Sequence, residues 1–324
     1  MKKVKLNMNE MPYSLPPDII RAGQKGVSNI NRYPAPQDQD LLKQLLADYA
    51  GVPKRNLIVY PGSDLILREI VHIFSKGRKM IMVYPTFFPT FFAAKQFANL
   101  ITIPLNPPHF DLDLNHLLKE LDEPSLVIID NPNNPTGKIL LDNEVVESVL
   151  DRKDVYFVVD EAYYEFTQVS FANLVLKYPN LAIGRTISKA FGLAGSRIGY
   201  IIGGEAFLEK FSLTSIMLPY AGLCAAIEAM KNPSYITKNI EMTIREKERV
   251  TRELEKMELQ VYPSTTNFLL VNTKIADIGE KLAKKGIMVL DLSSKWRSGF
   301  IRVSIGTKYE NDAFLTNINQ IINH

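Results

Sequence analysis

Leu181-Ala-Ile-Gly-Arg-Thr-Ile-Ser-Lys-Ala-Phe-Gly-Leu-Ala-Gly-Ser-Arg-Ile-Gly-Tyr200 is the stretch on which the reading of this chain turns. It opens as a short apolar run and then breaks into small residues around one lysine, Lys189. Thr186 and Ser188 stand just before that lysine, and Arg197 follows it. A lysine set among hydroxyls, glycines and an arginine makes a poor core. It suits a phosphorylated carbonyl compound, because the amine can condense with the carbonyl while hydroxyls and guanidinium grip a phosphate. Taken alone, the stretch would also serve as a loop with an exposed lysine, so the motifs upstream decide.

Gly62-Ser63-Asp64 follows an apolar run ending at Tyr60 and opens a helical spacing of Leu67, Ile70, Val71 and Phe74. A small-residue turn at a helix start presents backbone N–H groups and the positive end of the dipole, which suits a phosphate. An ordinary cap by Ser63 or Asp64 is the alternative. Tyr84-Pro-Thr-Phe87 closes the next run, where an aromatic can lie flat on a ligand ring, worth about 0.5–1.5 kcal/mol beyond burial. In Asn131-Pro-Asn-Asn134-Pro-Thr-Gly137, two Asn-Pro dipeptides force a fixed turn that aims the Asn134 amide. Asp160-Glu-Ala-Tyr163 follows the run Tyr156–Val159, and a carboxylate at a buried strand end costs several kcal/mol unless it meets a cation.

The spacing of these motifs sets the fold. Apolar runs at Asn56–Tyr60, Met80–Tyr84, Leu100–Pro104, Leu126–Ile129, Tyr156–Val159, Leu181–Ile183 and Ile198–Ile202 alternate with helical stretches. This predicts an α/β domain with a mostly parallel seven-stranded sheet and helices on both faces. Ligands collect at the carboxyl ends of such strands, and the motifs fall just after strands. Before the sheet, residues 1–27 read as a proline-punctuated arm with a short helix after Pro17, and residues 39–50 carry helical spacing. Beyond it come a helix over 205–215, a break at Leu218-Pro-Tyr220 and a long charged helix over about Ile236–Met257. The remainder reads as a smaller α+β domain, with strands at Phe268–Val271, Met288–Leu290 and Phe300–Ile305. The expected division is an arm at 1–27 joining the small domain, a large domain over 28–220 and a small domain over 221–324.

Ser188-Lys189-Ala-Phe-Gly-Leu-Ala-Gly-Ser-Arg197 resembles the lysine motif of fold type I pyridoxal-phosphate (PLP) aminotransferases. It is most similar to the histidinol-phosphate aminotransferase group, and the likeness runs from Leu6 to about Asn311. The resemblance implies that Lys189 binds the cofactor aldehyde and moves a proton between substrate Cα and C4′. It implies that Asp160 keeps the ring nitrogen protonated, that Asn134 and Tyr163 flank the 3-hydroxyl, and that Phe87 stacks on the ring. Gly62, Ser63, Asp64, Thr186, Ser188 and Arg197 would cup the phosphate, with Tyr33 reaching in from the partner of a homodimer. Arg302, in Phe300-Ile-Arg-Val-Ser304, would bind the substrate carboxylate, and Tyr13 would face the substrate.

One position departs from that pattern. Gly286-Ile-Met-Val-Leu290-Asp291 carries leucine where the related enzymes place an arginine for the substrate's phosphate. Arg297, in Lys295-Trp-Arg-Ser298, is the candidate replacement. The implied reaction is ping-pong transfer of an amino group from histidinol phosphate, the amino donor, to 2-oxoglutarate, a 2-oxo acid acceptor, in histidine biosynthesis. An aromatic or broad-specificity aminotransferase, and decarboxylation like that of threonine-phosphate decarboxylases, would use the same cofactor residues.

Composition bounds the remaining possibilities. The 324 residues are 46% apolar and 23% charged, ordinary for a soluble enzyme of one large and one smaller domain. A net charge of +3 is too small to suggest a nucleic-acid surface. The single cysteine, Cys224, excludes an intrachain disulfide and fits a reducing compartment. The basic start has no apolar run behind it, and no apolar stretch reaches membrane-spanning length, so the cytoplasm is expected. His72, His109, His116 and His324 show no metal-ligand spacing, and no metal is expected.

Overall fold

The computed structural model describes residues 3–97, 99–211 and 217–323. The chain runs β1 (Val4–Leu6), α1 (Pro17–Val27), α2 (Pro36–Ala50), β2 (Leu57–Tyr60), α3 (Ser63–Phe74), β3 (Lys79–Tyr84), α4 (Phe88–Phe97) and β4 (Asn99–Pro104). It continues through α5 (Leu114–Lys119), β5 (Ser125–Asp130), α6 (Asn143–Leu150), β6 (Val155–Asp160), α7 (Tyr164–Thr167), β7 (Leu181–Thr186), β8 (Gly199–Gly203) and α8 (Glu205–Phe211). Then come α9 (Tyr220–Lys231), α10 (Tyr235–Lys256), β9 (Gln260–Tyr262), β10 (Phe268–Asn272), α11 (Ile278–Lys284), β11 (Ile287–Asp291), β12 (Phe300–Ser304) and α12 (Lys308–Ile322).

Two compact units result. The larger comprises Leu15–Asn134 and Ile139–Pro233. Its seven-stranded sheet has the order β2-β8-β7-β6-β5-β3-β4, and β8 alone runs against its neighbours. Leu126, Ile128, Val158, Ala182 and Ile201 point to one face, where they pack with Ile66, Leu67, Ile70 and Phe74 of α3 and Phe207 and Phe211 of α8. The alternate residues Val127, Ile129, Phe157, Val159 and Ile183 are equally buried. A sheet apolar on both faces needs layers on both, which explains why its strands read as unbroken apolar runs. The seven sequence-derived strands are all present, six of them within a residue of their expected ends, while β7 runs three residues past Ile183 to Thr186. The helix expected over 205–215 is observed as α8, and its last residues lie outside those described.

The smaller unit comprises Met1–Ser14, Pro135–Lys138 and Ser234–His324. Its sheet has the order β1-β11-β12-β10-β9, with β1 parallel to β11 and the other pairs antiparallel. Val4, Leu6, Leu269, Val271, Ile287, Ile301 and Val303 face α10, α11 and α12 through Val250, Leu254, Ile278, Leu282, Phe314 and Ile318. Thr307 starts α12 with a reciprocal cap: its hydroxyl accepts from the Glu310 N–H, and Glu310 accepts from the Thr307 N–H at 2.8 Å.

The units divide at Ser14 and Pro233, not at 27 and 220 as the sequence suggested. The reason is the packing of α1 along α9. A Cβ on Gly26 would lie 2.7 Å from Ala221 Cα, and one on Gly23 would touch Ala225 Cβ at 3.6 Å. Both helices therefore belong to the larger unit. No helix among the described residues is long and apolar enough to cross a membrane.

Candidate active site

The carboxyl end of the large sheet gathers the motifs of that unit. Gly62, between β2 and α3, has φ +100°, a conformation that favours glycine. No side chain caps α3 at this point, so its first amides face outward with the positive end of the helix dipole. A Cβ on Gly62 would collide with the Arg197 guanidinium, and one on Gly199 would collide with the Ser63 N–H. The turn before α3, the start of β8 and Arg197 thus close on one another with only glycine-sized clearance.

Thr186 and Ser188 precede Lys189, and the Thr186 hydroxyl reaches the carbonyl of Ile198, the residue after Arg197. Thr186 Oγ1 lies 2.9 Å from Ser188 Oγ, donates to Ile198 O at 3.1 Å and accepts from the Ser188 N–H at 3.1 Å. Arg197 itself adopts the left-handed backbone region, φ 54°, unusual for a side chain of this size. Its guanidinium donates to Asp64 Oδ1. Asp64 therefore uses its carboxylate to aim Arg197 and has only its backbone N–H to offer an anion. Lys189 is half-buried in a run where every other residue from Leu181 to Phe191 is buried.

Asp160 ends β6, 6% exposed, and accepts from the Ala162 N–H at 3.1 Å. Burial raises its pKa to about 7, helped by the negative charge of Asp130 and opposed by Lys189. Asp130 ends the adjacent strand β5 in register with Asp160. Its Oδ1 accepts from Thr86 Oγ1 at 2.6 Å and Asn133 Nδ2 at 3.0 Å, and its Oδ2 from the Asn134 N–H at 2.6 Å. Burial raises it to about 6. Asn134 and Tyr163 are both buried. Phe87 is half-buried against the core cluster. Of its neighbours, Phe88 is buried and Phe91 packs on the core, whereas Phe92 is half exposed.

The remaining predicted residues lie elsewhere. Tyr33, between α1 and α2, is 82% exposed. In the smaller unit Arg302 is buried on β12, its Nη2 donating to Asn7 O at 2.6 Å and its guanidinium 5.3 Å from the Phe268 ring centre. Leu290 is its direct cross-strand partner on β11. Directly paired residues share a face, so the Leu290 side chain stands beside that of Arg302. Arg297 is exposed, its guanidinium 5.4 Å from the Trp296 ring centre. Tyr13 is half-buried, and burial raises its pKa, with Thr243 and Glu246 of α10 as further influences.

The family model for aminotransferases of class I and II matches residues 1–318. The chain belongs to the class I and II aminotransferase family. A histidinol-phosphate aminotransferase of Pyrococcus furiosus is 37% identical, over 99% of this chain and 93% of that protein. Another, from Sulfurisphaera tokodaii, is 34% identical over 98% of this chain and 90% of that protein. Among solved structures, histidinol-phosphate aminotransferase from Sinorhizobium meliloti in complex with pyridoxal-5'-phosphate matches with a TM-score of 0.89 at 25% identity, covering 99% of this chain and 91% of that one.

The aminotransferase also has a polar layer that the sequence reading passed over. Arg185, Glu161 and Glu165 are all buried behind the strand ends. Arg185 donates through Nε and Nη2 to Glu161 Oε2 at 2.9 and 2.8 Å and through Nη2 to Ser170 Oγ at 2.5 Å, with its guanidinium 3.6 Å from the Tyr164 ring centre. Burial raises Glu161 above the usual carboxylate range and Glu165 to about 7, and Arg185 opposes both shifts. Three of these residues adjoin a motif residue: Glu161 follows Asp160, Tyr164 follows Tyr163 and Arg185 precedes Thr186. That adjacency was the available signal. Among the described residues no group of His, Cys, Asp or Glu is placed to hold a metal.

Proposed function

We propose that this aminotransferase uses PLP, held at the carboxyl end of the large sheet, to move the amino group of histidinol phosphate to 2-oxoglutarate. The observation that carries the reading is the buried carboxylate of Asp160, raised to about 7, with Lys189 as the cation that opposes the shift. A buried acid so placed calls for a second positive partner, and a protonated pyridine nitrogen supplies one. The cradle around Gly62 and Gly199, which a single added Cβ would fill, suits a phosphate against the uncapped start of α3. Bound there, PLP supplies an electron sink for the charge left at the donor's Cα.

The chain's own groups then take distinct tasks. The amides that open α3, the hydroxyls of Ser63, Thr186 and Ser188, and the Arg197 guanidinium bind the phosphate. Asp160 holds the proton on the ring nitrogen, Asn134 and Tyr163 hydrogen-bond the 3-hydroxyl oxygen, and Phe87 covers one ring face. Lys189 anchors the cofactor and, once released, takes the proton from the donor's Cα. Arg302 binds the donor's anionic end, and Tyr13 and Arg297 border the substrate. Leu290 offers no charge, so Arg302 and Arg297 share the donor's phosphate.

The working form is a cytoplasmic homodimer. Ile20, Val27, Ile30, Tyr33, Leu41 and Met217 are exposed, and Gln39 joins α2 to Met217 at 3.3 Å, so apolar side chains concentrate on one region of the larger unit. Tyr33 reaches from it to the partner's phosphate site.

The test compares kcat/KM for histidinol phosphate, phenylalanine and tyrosine with 2-oxoglutarate as acceptor. Histidinol phosphate should be preferred, and Arg297→Ala should lower that value alone by about ten- to a hundredfold. A preference for phenylalanine would overturn the donor assignment. No visible absorbance with added PLP, or a borohydride-fixed cofactor on any peptide but that of Lys189, would overturn the cofactor assignment.

A further inference from the structure

The end of β5 carries a carboxylate that the proposed chemistry leaves unused. Asp130 is buried at the tip of a strand, a place where an acid must be bonded on every side to persist. Its three donors come from two different loops. Thr86 belongs to the connection after β3, one residue before Phe87, while Asn133 and Asn134 belong to the turn after β5. Asn133 adds a second tie, its Nδ2 also donating to Pro85 O at 3.1 Å. A carboxylate that only capped its own turn would need the Asn134 N–H and nothing from β3. The bond from Thr86 spans 44 residues of chain and joins the loop of the stacking aromatic to the loop of the aimed amide.

We propose that Asp130 is a positioning residue that locks the Phe87 and Asn134 loops into one rigid rim beside Asp160. Three donors occupy both carboxylate oxygens, so the ionised form fits this network and a protonated form would lose an acceptor. Fixing both loops before the cofactor arrives removes an ordering cost from binding. The negative charge also adds to that of Asp160, in register on β6, against the one cation, Lys189, that opposes Asp160's shift. The pair therefore attracts a cationic ring more strongly than Asp160 would alone.

This inference rests on the reading that Phe87 and Asn134 touch bound PLP. Its test is spectral titration of the apo-protein with PLP, for the unmodified chain and for Asp130→Asn, Thr86→Val, Thr86→Ser and the Asp130→Asn/Thr86→Val pair. Asp130→Asn should weaken PLP binding about ten- to a hundredfold, and Thr86→Val about two- to tenfold. The double variant should be no weaker than Asp130→Asn, because Thr86 acts through Asp130. Thr86→Ser keeps the hydroxyl and should bind like the unmodified chain, a rescue that mere loss of packing at position 86 would not give. Should Asp130→Asn fail to fold, the contrast between Thr86→Val and Thr86→Ser decides alone. If the unmodified protein binds PLP and Thr86→Val binds it within twofold, Asp130 positions nothing. If the unmodified protein does not bind PLP, the cofactor reading falls instead.

Discussion

Arg185 and Arg197 flank Lys189 in one stretch of chain, yet their surroundings are opposite. Arg185 is 2% exposed, bonded to Glu161 and Ser170 and covered by the Tyr164 ring. Arg197 is about half exposed, held in a left-handed turn and aimed by Asp64, itself about half exposed. The first guanidinium is committed to a closed layer, where breaking it leaves buried acids behind. The second keeps an open side and can take an anion. Residue type is the same and both stand near the lysine in sequence, so burial and the partners already satisfied divide structure from chemistry here.

Four experiments test that contrast, in descending order of expected change. Lys189→Ala should lower turnover about 10³-fold while denaturant unfolding of the apo-protein changes by no more than about 1 kcal/mol. A large stability loss would show that the open side of the site cannot be separated from the closed layer. Arg185→Met should cost about 3–5 kcal/mol of stability, because Glu161 and Glu165 lose the cation that opposes their shifts. An unfolding curve within about 1 kcal/mol of the unmodified protein would mean that the buried acids are satisfied without it.

Arg197→Ala should do the reverse. Its exposed ion pair contributes at most about 1 kcal/mol to stability, but PLP binding should weaken about ten- to a hundredfold. Equal stability losses for the two arginines would erase the distinction. The smallest effect is graded with pH. Between the ordinary carboxylate range and about 6–7, Asp160 and Glu165, near 7, and Asp130, near 6, hold protons in the folded apo-protein that the unfolded chain has released. Their contribution is fully present below the ordinary carboxylate range and is lost as pH rises through about 6–7. The Tm of the apo-protein should therefore fall between about pH 5 and pH 8, and a rise over that interval would show that these carboxylates are ionised when folded.

The sheet was legible because each strand is an apolar run closed by polar or small residues, and sheets covered on both faces produce that pattern. Lys189, Asp160 and the Asn-Pro turn were legible because their residue types are costly in a core. Asp130 was not. It reads as the polar residue before a turn, and its meaning comes from Thr86, in the connection after a different strand. Arg185, Glu161 and Glu165 escaped for the same reason, since a charged residue looks solvated until its partner is placed beside it. The helix α9 was missed because Leu218-Pro-Tyr220 reads as a break while Ala221, Gly222, Ala225 and Ala226 give no apolar stripe. Those small residues let α1 approach closely, and that approach moved the division between the units. Strands β1 and β9, three residues each, are too short to show a period.

The parallel pairing of β1 with β11 sets a timetable for synthesis. Val4 lies opposite Ile287, so this strand leaves the ribosome long before the neighbour that completes it. At about 5–20 residues per second, Val4–Leu6 waits roughly 15–60 s for its neighbour. During that interval it is an apolar segment with open backbone groups, the kind of edge that pairs with the wrong chain. Lys5, between the two residues that become buried, places a charge on the segment and makes such mispairing less favourable. A nascent chain halted before Ile287 would still expose Val4–Leu6 to proteolysis, and one halted after Asp291 had cleared the exit tunnel would begin to protect it.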